Sequence, residues 1–357
     1  MSNYIIDYSI PLPGEAKYNA TIARQDVVRT FVSIGAKFIN WHPLFTSKIP
    51  KVKGAIERVG DLIQAISGLS SMKSGEMVYF QYPYLGHCLK LIVKICRIKG
   101  LKVTLLIHDL EFLRYADVDN IAQQQIKLFN DVDRLIVHTT KMRERLRELG
   151  VKAPMDILTL FDYYAVDPYR NFDEQLADKN VIAFAGNLNK SAFLKNLDNS
   201  VISPSISFRF YGIKPKKDFY NKNIFYEGKF SPEHTSSLQA GWGLVWDGDS
   251  IETCSGSLGN YLRYIAPHKL SLYLAAGIPV IVWNQSAHAD FIRNNNIGIV
   301  VGKIKDAYEI INKMKDEQYK EITTNARKIG NELRGGGYLK KVITLHIQAT
   351  GKQVVRF

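Results

Sequence analysis

Short apolar runs alternate with helix-length segments along nearly the whole chain. Tyr4-Ile5-Ile6-Asp7-Tyr8 and the stretches 76–82, 102–107 and 134–137 read as strands. Between them lie segments of three-to-four spacing, one carrying Arg24, Val27, Val28 and Phe31, another an apolar stripe at Leu85, Cys88, Leu89, Ile92, Val93 and Cys96. Strands that are apolar throughout, not alternating, are covered on both faces, as in a parallel sheet with helical crossovers. The stretch 154–178, with Asp162, Pro168 and Asn171, breaks this rhythm and reads as a linker. Strands then resume at 181–185, 207–211, 242–246, 279–283 and 298–301, with Tyr226-Glu227-Gly228 as a turn. The pattern predicts two α/β lobes, 1–165 and 166–335. The triplet Gly335-Gly336-Gly337 marks a break, and the segment 336–357 that begins within it can return to the first lobe. Ligands of open parallel sheets bind beyond the carboxyl ends of the strands, so a cleft between the lobes is the expected site.

The 357 residues suffice for two such cores. A hydrophobic share of 46% with 23% charged residues is that of a globular chain, not a disordered one. No uncharged apolar run reaches the length of a membrane span, and Met1-Ser2-Asn3 opens no signal-peptide pattern. Cys88, Cys96 and Cys254 form no CxxC pair, which fits a reducing cytoplasm. The net charge of +13 predicts an anionic partner, either nucleotide phosphates or an acidic membrane surface. Nucleic acid is not expected, because the lysines and arginines are dispersed and no nucleic-acid-binding motif is present.

The densest candidate chemistry lies at Ala266-Pro267-His268-Lys269-Leu270-Ser271, a helix start that runs to Gly277 and on through Ile278-Pro279 into a strand. Pro267 and Gly277 punctuate its two ends. Amides of a first helical turn with Lys269 among them suit a diphosphate, with His268 assisting; an ordinary helix–strand connection explains the same residues. Ala185-Gly186-Asn187-Leu188-Asn189-Lys190 ends another strand in a small-residue turn, where amides and Lys190 can approach a phosphate. Gly-Asn is also a common turn. Tyr211, at the end of the following strand, and Asp247, in the loop Trp246-Asp247-Gly248-Asp249, complete the expected ligand site. Asp247-x-Asp249 could hold a metal, but Asp117-x-Asp119 and Asp131-x-Asp133 show how readily this chain produces that triplet. No metal or other cofactor is expected.

In the first lobe, His108 and Asp109 follow a buried strand, where either could deprotonate an acceptor hydroxyl. The structural alternative has His108 on a backbone carbonyl and Asp109 capping the next helix. Asp109 is the favoured base, with His108 orienting it or replacing it, and Glu15 in the opening loop with Gly14 and Lys17 is the rival. Lys90, Lys94 and Arg97 share one helix face, either as an ordinary solvated surface or as a contact with anionic lipid headgroups.

Together, Phe184-Ala185-Gly186-Asn187-Leu188, Tyr226-Glu227-Gly228, Gly243-Leu244-Val245-Trp246-Asp247-Gly248 and Pro267-His268-Lys269-Leu270-Ser271 with Gly277-Ile278-Pro279 resemble the GT-B glycosyltransferases. The subfamily resembled contains bacterial galactofuranosyltransferases and the glucosyltransferases that extend sugars on serine-rich streptococcal adhesins. The resemblance covers about 181–301 and in the first lobe rests on Ile107-His108-Asp109. It implies two Rossmann-like lobes, a UDP-sugar held by the second, and a lipid-linked or protein-linked glycan acceptor presented by the first. Many retaining GT-B enzymes carry two glutamates eight positions apart before Gly-x-Pro. Here Tyr264 and Leu272 stand at those positions, which favours an inverting reaction. A non-catalytic nucleotide-sugar-binding partner of another transferase and a metal-dependent GT-A-type enzyme are the alternative readings, and homo-oligomerisation is open.

Overall fold

The computed structural model describes residues 2–8, 19–41, 50–83, 88–115, 119–197, 202–214 and 221–349. The chain divides into two compact units, Met1–Leu158 with Leu339–Phe357, and Thr159–Tyr338. The first unit runs β1 (Asn3–Tyr8), α1 (Asn19–Ser33), β2 (Lys37–Trp41), α2 (Pro50–Ser70), β3 (Met77–Tyr82), α3 (Cys88–Ile98), β4 (Lys102–Ile107), α4 (Glu111–Arg114), α5 (Asp119–Asn130), β5 (Arg134–Val137), α6 (Thr140–Glu148) and β6 (Met155–Ile157). Its sheet is parallel, in the order β2-β1-β3-β4-β5-β6. Every residue of β3 is buried, as a strand covered on both faces requires. Helix α3 buries Cys88, Leu89, Ile92, Val93 and Cys96 of the stripe its spacing predicts, and Leu85, the first of that stripe, lies outside the described residues.

The second unit runs α7 (Phe172–Ala177), β7 (Val181–Asn187), β8 (Ser207–Ile213), β9 (Ile224–Gly228), β10 (Trp242–Val245), α8 (Gly256–Tyr261), α9 (His268–Ala275), β11 (Val280–Trp283), α10 (Ala289–Asn295), β12 (Gly298–Val301), α11 (Ile304–Lys313) and α12 (Asp316–Arg334). Its parallel sheet has the order β12-β11-β10-β7-β8-β9. A last helix, α13 (Gly337–Ala349), lies mostly in the terminal segment grouped with the first unit. There His346 is buried with its Nδ1 3.2 Å from the Tyr79 hydroxyl.

Several elements depart from the sequence expectation. The stretch read as a linker opens with a strand, because Met155, Asp156 and Ile157 pair with Leu135, Ile136 and Val137. The division therefore falls at 158/159, not at 165/166. Leu160 and Tyr163 already pack in the second unit's core, and the Tyr163 N–H donates to the Leu333 carbonyl. Tyr226-Glu227-Gly228 is no turn but most of the edge strand β9. The pair β2 and α2 was not expected at all. Gly68 of α2 lies against Trp41 of β2, where an added Cβ would sit 2.9 Å from the indole nitrogen.

Helix α9 is held close to the second sheet by Tyr273. Its ring lies over Gly243 of β10, and its hydroxyl accepts the Ala185 N–H at 2.8 Å. A Cβ at Gly243 would sit 2.1 Å from Tyr273 Cγ. Gly243→Ala should therefore cost about 1–3 kcal/mol of overpacking strain, lowering Tm by several degrees. Thermal melts check this, and an unchanged Tm would mean that α9 can ride outward freely.

Candidate active site

Four loops and helix starts gather at the carboxyl edge of the second sheet. Lys269, in the first turn of α9, extends its ammonium over the Phe184 ring at 4.2 Å from the ring centre. The ammonium donates to the Trp246 carbonyl at 3.3 Å and lies 3.9 Å from Asp247 Oδ2. Gly186 is adjacent, since a Cβ there would stand 4.0 Å from Lys269 Nζ. Burial pushes the Lys269 pKa down, and the Asp247 carboxylate partly restores it. An ammonium has three donors, and among the described residues this one makes a single hydrogen bond and one loose ion pair. Its side chain is 21% exposed, so it is a partly desolvated cation with few protein acceptors, placed where Gly186 leaves room.

The surrounding loop is fixed by its own backbone. Trp246 Nε1 donates to the Ser250 carbonyl at 2.8 Å, and Asp247 Oδ1 accepts the Gly248 N–H at 3.1 Å. Gly248 has a φ of 101°, and a Cβ there would meet the Ser255 carbonyl at 2.0 Å, so only glycine closes this loop. Asp249 is exposed, and its carboxylate lies beside Gly256 at the start of α8. Among the described residues no group of three or more His, Cys, Asp or Glu could hold a metal ion.

The remaining donor-site candidates divide. Asn187 shapes its turn, its Oδ1 accepting the Asn189 N–H at 3.1 Å, while Lys190 is exposed beyond it. Tyr211 is turned inward and 3% exposed. Its hydroxyl accepts the Gln239 N–H, and burial raises its pKa. Tyr211 thus supports the wall of the site without facing it. The His268 imidazole lies 5.0 Å from the Tyr163 ring and 6.3 Å from that of Phe161, and its buried Nε2 has no hydrogen-bond partner among the described residues. Burial pushes its pKa down to about 4, so at neutral pH it brings no charge to a phosphate.

In the first unit, His108 and Asp109 follow β4 as expected. The Asp109 carboxylate accepts the Leu110 N–H through Oδ1 at 3.0 Å and pairs through Oδ2 with Arg114 at 2.5 Å. His108 Nε2 lies 2.6 Å from Gln81 Oε1, and Gln81 Nε2 in turn donates to Asp7 Oδ2 at 2.6 Å. Glu15, with Gly14 and Lys17, lies outside the described residues. Sequence reasoning missed Gln81 and Asp7; the available signal was two polar residues inside otherwise apolar strands. The Trp246 carbonyl and the Phe184 ring had no sequence signal as partners of Lys269.

The family models also divide the chain near residue 160, although the second runs on into the terminal segment grouped with the first unit. Residues 4–160 match the model of the Glucosyltransferase 3-like N-terminal domain, and residues 182–345 that of the Glucosyltransferase 3-like C-terminal domain. A β-1,6-galactofuranosyltransferase, WbbI of Escherichia coli K12, is 30% identical over 83% of this chain and 86% of its own length. Glucosyltransferase 3 of Streptococcus gordonii is 27% identical over 91% of this chain and 92% of its own. Among solved structures, sucrose-phosphate synthase of Thermosynechococcus elongatus aligns with TM-score 0.69 and 10% identity over 98% of this chain and 100% of that one. HepE of Anabaena in complex with UDP and glucose aligns with TM-score 0.64, 10% identity and the same coverage. These structural likenesses show the GT-B fold.

The buried imidazole of His268 sets a pH response. Its folded pKa of about 4 lies below the unfolded value of about 6.5, so the unfolded chain binds more protons between them. Stability should rise with pH across that window, by about 3 kcal/mol at most. Melting temperatures from pH 4 to 7 should rise more steeply for the unaltered chain than for His268→Leu. Equal slopes would place the imidazole in contact with water.

Proposed function

The chain belongs to the Glucosyltransferase 3-like family and is a glycosyltransferase, and from that premise we propose that it moves a hexose or galactofuranose from a UDP-sugar to a glycan hydroxyl. The acceptor is a lipid-linked or protein-linked saccharide in surface polysaccharide or glycoprotein assembly. The transfer inverts the anomeric carbon and needs no metal ion. Enzyme membership of the family replaces the reading of a non-catalytic binding partner, and the two-sheet fold replaces that of a GT-A fold.

The observation that carries the donor site is the under-coordinated Lys269 ammonium at the start of α9. A diphosphate supplies the missing acceptors, and the adjacent helical amides and the space over Gly186 suit an anion. As the glycosidic bond breaks, its electron pair leaves on the β-phosphate, and a half-buried cation held in place stabilises that charge. Support for UDP comes from HepE, a protein of the same fold whose structure holds UDP and glucose. Inversion is supported by Tyr264 and Leu272, which stand where the resemblance places the glutamates of retaining enzymes.

No described helix is long and apolar enough to cross a membrane. One face of the first unit nevertheless suits a bilayer surface. Exposed Lys90, Lys94 and Arg97 of α3 stand with Leu91 and Ile98, and the neighbouring α2 exposes Val59, Ile63 and Ile66. The Lys99 ammonium reaches the Ser70 carbonyl at the end of α2, joining the two helices at that end. Basic side chains beside exposed aliphatic ones fit anionic headgroups and the acyl boundary beneath them.

Two measurements test this reading. Lys269→Ala should weaken UDP binding about ten- to a hundredfold, the loss of one charge-assisted phosphate contact of about 1.5–3 kcal/mol. Unchanged calorimetric affinity would remove Lys269 from the donor site, and EDTA-sensitive turnover would remove metal independence. The unaltered chain should co-sediment with vesicles rich in phosphatidylglycerol and release in high salt, with Lys90→Glu/Lys94→Glu failing to bind. Absence of vesicle binding together with dimers that Ile63→Asp disrupts would assign the face to a second copy of the chain.

A further inference from the structure

We propose that Tyr273 is a positioning residue of the donor site: by giving the Ala185 N–H an acceptor in place of a strand partner, it holds β7 and β10 apart beside the Lys269 ammonium and keeps room there for the anion. The inference rests on the donor-site reading above.

The second sheet parts along one seam. Strand β7 pairs with β8 over its whole length, from Val181 with Ser207 to Asn187 with Ile213. Its register with β10 covers only Ile182 with Trp242 and Ala183 with Gly243, although β10 runs on to Val245 beside β11. In the order β12-β11-β10-β7-β8-β9 this seam is also where the succession of strands reverses, with β8 and β9 on one side of β7 and β10 to β12 on the other. Open parallel sheets take ligands at such points. Topology places the crevice, and a side chain sets its width.

Backbone groups of successive residues in a strand face opposite neighbours. The Val181 carbonyl accepts the Gly241 N–H at 3.0 Å, so Val181, Ala183 and Ala185 turn their backbone toward β10. At Ala185 the N–H meets the Tyr273 hydroxyl of α9 instead, at 2.8 Å. Tyr273 is fully buried, and burial pushes its pKa up, so the hydroxyl stays neutral and accepts through oxygen. The phenol reaches this point because Gly243 has no side chain to exclude its ring. It is a wedge with the β10 backbone under its ring and a β7 amide on its oxygen. Ordinary ladder pairing would satisfy that amide equally well; what the wedge alone provides is the gap.

The gap lies where the anion is expected. Lys269 stands four residues before Tyr273, on the same face of α9. Its ammonium spans the same two strands, over the Phe184 ring of β7 and on the Trp246 carbonyl just past β10. Gly186, whose missing side chain leaves room beside the ammonium, directly follows the residue that Tyr273 fixes. Without the hydroxyl, Ala185 is released toward β10 and carries Gly186 into the space a phosphate needs.

The test uses the full-length chain with UDP as the probe, by calorimetry. Tyr273→Phe keeps the ring over Gly243 and removes the acceptor. UDP affinity should fall about tenfold. In a chain already carrying Lys269→Ala the same change should add little, because the ammonium and the wedge serve one site. A tyrosine that only supports the fold would lower Tm and leave UDP affinity as it was. That result, or an equal loss of affinity in both backgrounds, would overturn the inference. Should Tyr273→Phe melt early, hydrogen exchange of the unaltered chain decides. The Ala185 amide should be protected as well without UDP as with it, and protection that arises only with UDP would overturn the wedge. An unaltered chain that binds no UDP would overturn the donor-site reading instead, with the parting of β7 from β10 left as it stands.

Discussion

A parallel strand covered on both faces has no place along its length for an ungrouped charge, so its chemistry is driven to its ends. Both sheets here obey that constraint, with β3, β10 and β11 buried at every position. Polar side chains therefore collect beyond the carboxyl ends of β4, β7 and β10, where the strands deliver them on rigid backbone. The glycines at those ends are part of the same economy of space. A Cβ at Gly212 would fall 1.9 Å from the Gly186 carbonyl, so β7 and β8 can converge there only because position 212 has no side chain.

The two edges resolve their charges in opposite ways. In the first unit, Asp7, Arg24, Gln81 and His108 form a network in which each donor meets an acceptor, so geometry is fixed before any ligand arrives. In the second, the half-buried Lys269 meets, among the described residues, the Trp246 carbonyl, the Phe184 ring and a distant carboxylate. A satisfied network defines direction, while an unsatisfied cation stores affinity.

The parts of the fold legible in the sequence were those whose signal is local. The apolar runs at 102–107, 134–137, 181–185 and 280–283 and the stripe of α3 correspond to elements because burial on both faces, or on one helical face, writes itself into consecutive residues. What escaped was decided by partners distant in the chain. Lys37 to Trp41 carries the polar Lys37 and Asn40 among its five residues and becomes a strand through pairing with β1. Met155 to Ile157 is three residues long and exists through β5. In the site, Lys269 could be named from its place after Pro267, whereas Gln81 could not, because its importance lies in a contact with residue 7 and another with residue 108. Tyr211 was assigned to the site by its position at a strand end, but side-chain direction turned it into the core.

The terminal helix gives the first unit an unusual history. Its core is completed by Leu339, Ile343 and His346, the last set against Tyr79 across most of the chain's length. During synthesis at about 5–20 residues per second, β3 emerges on the order of ten seconds or more before these residues exist. For that interval the site for α13 lies open, and the first part to be made is the last that can be finished. A chain cut short before residue 337 would leave that apolar floor bare, so quality control at the ribosome can read the missing helix as exposed hydrophobic surface.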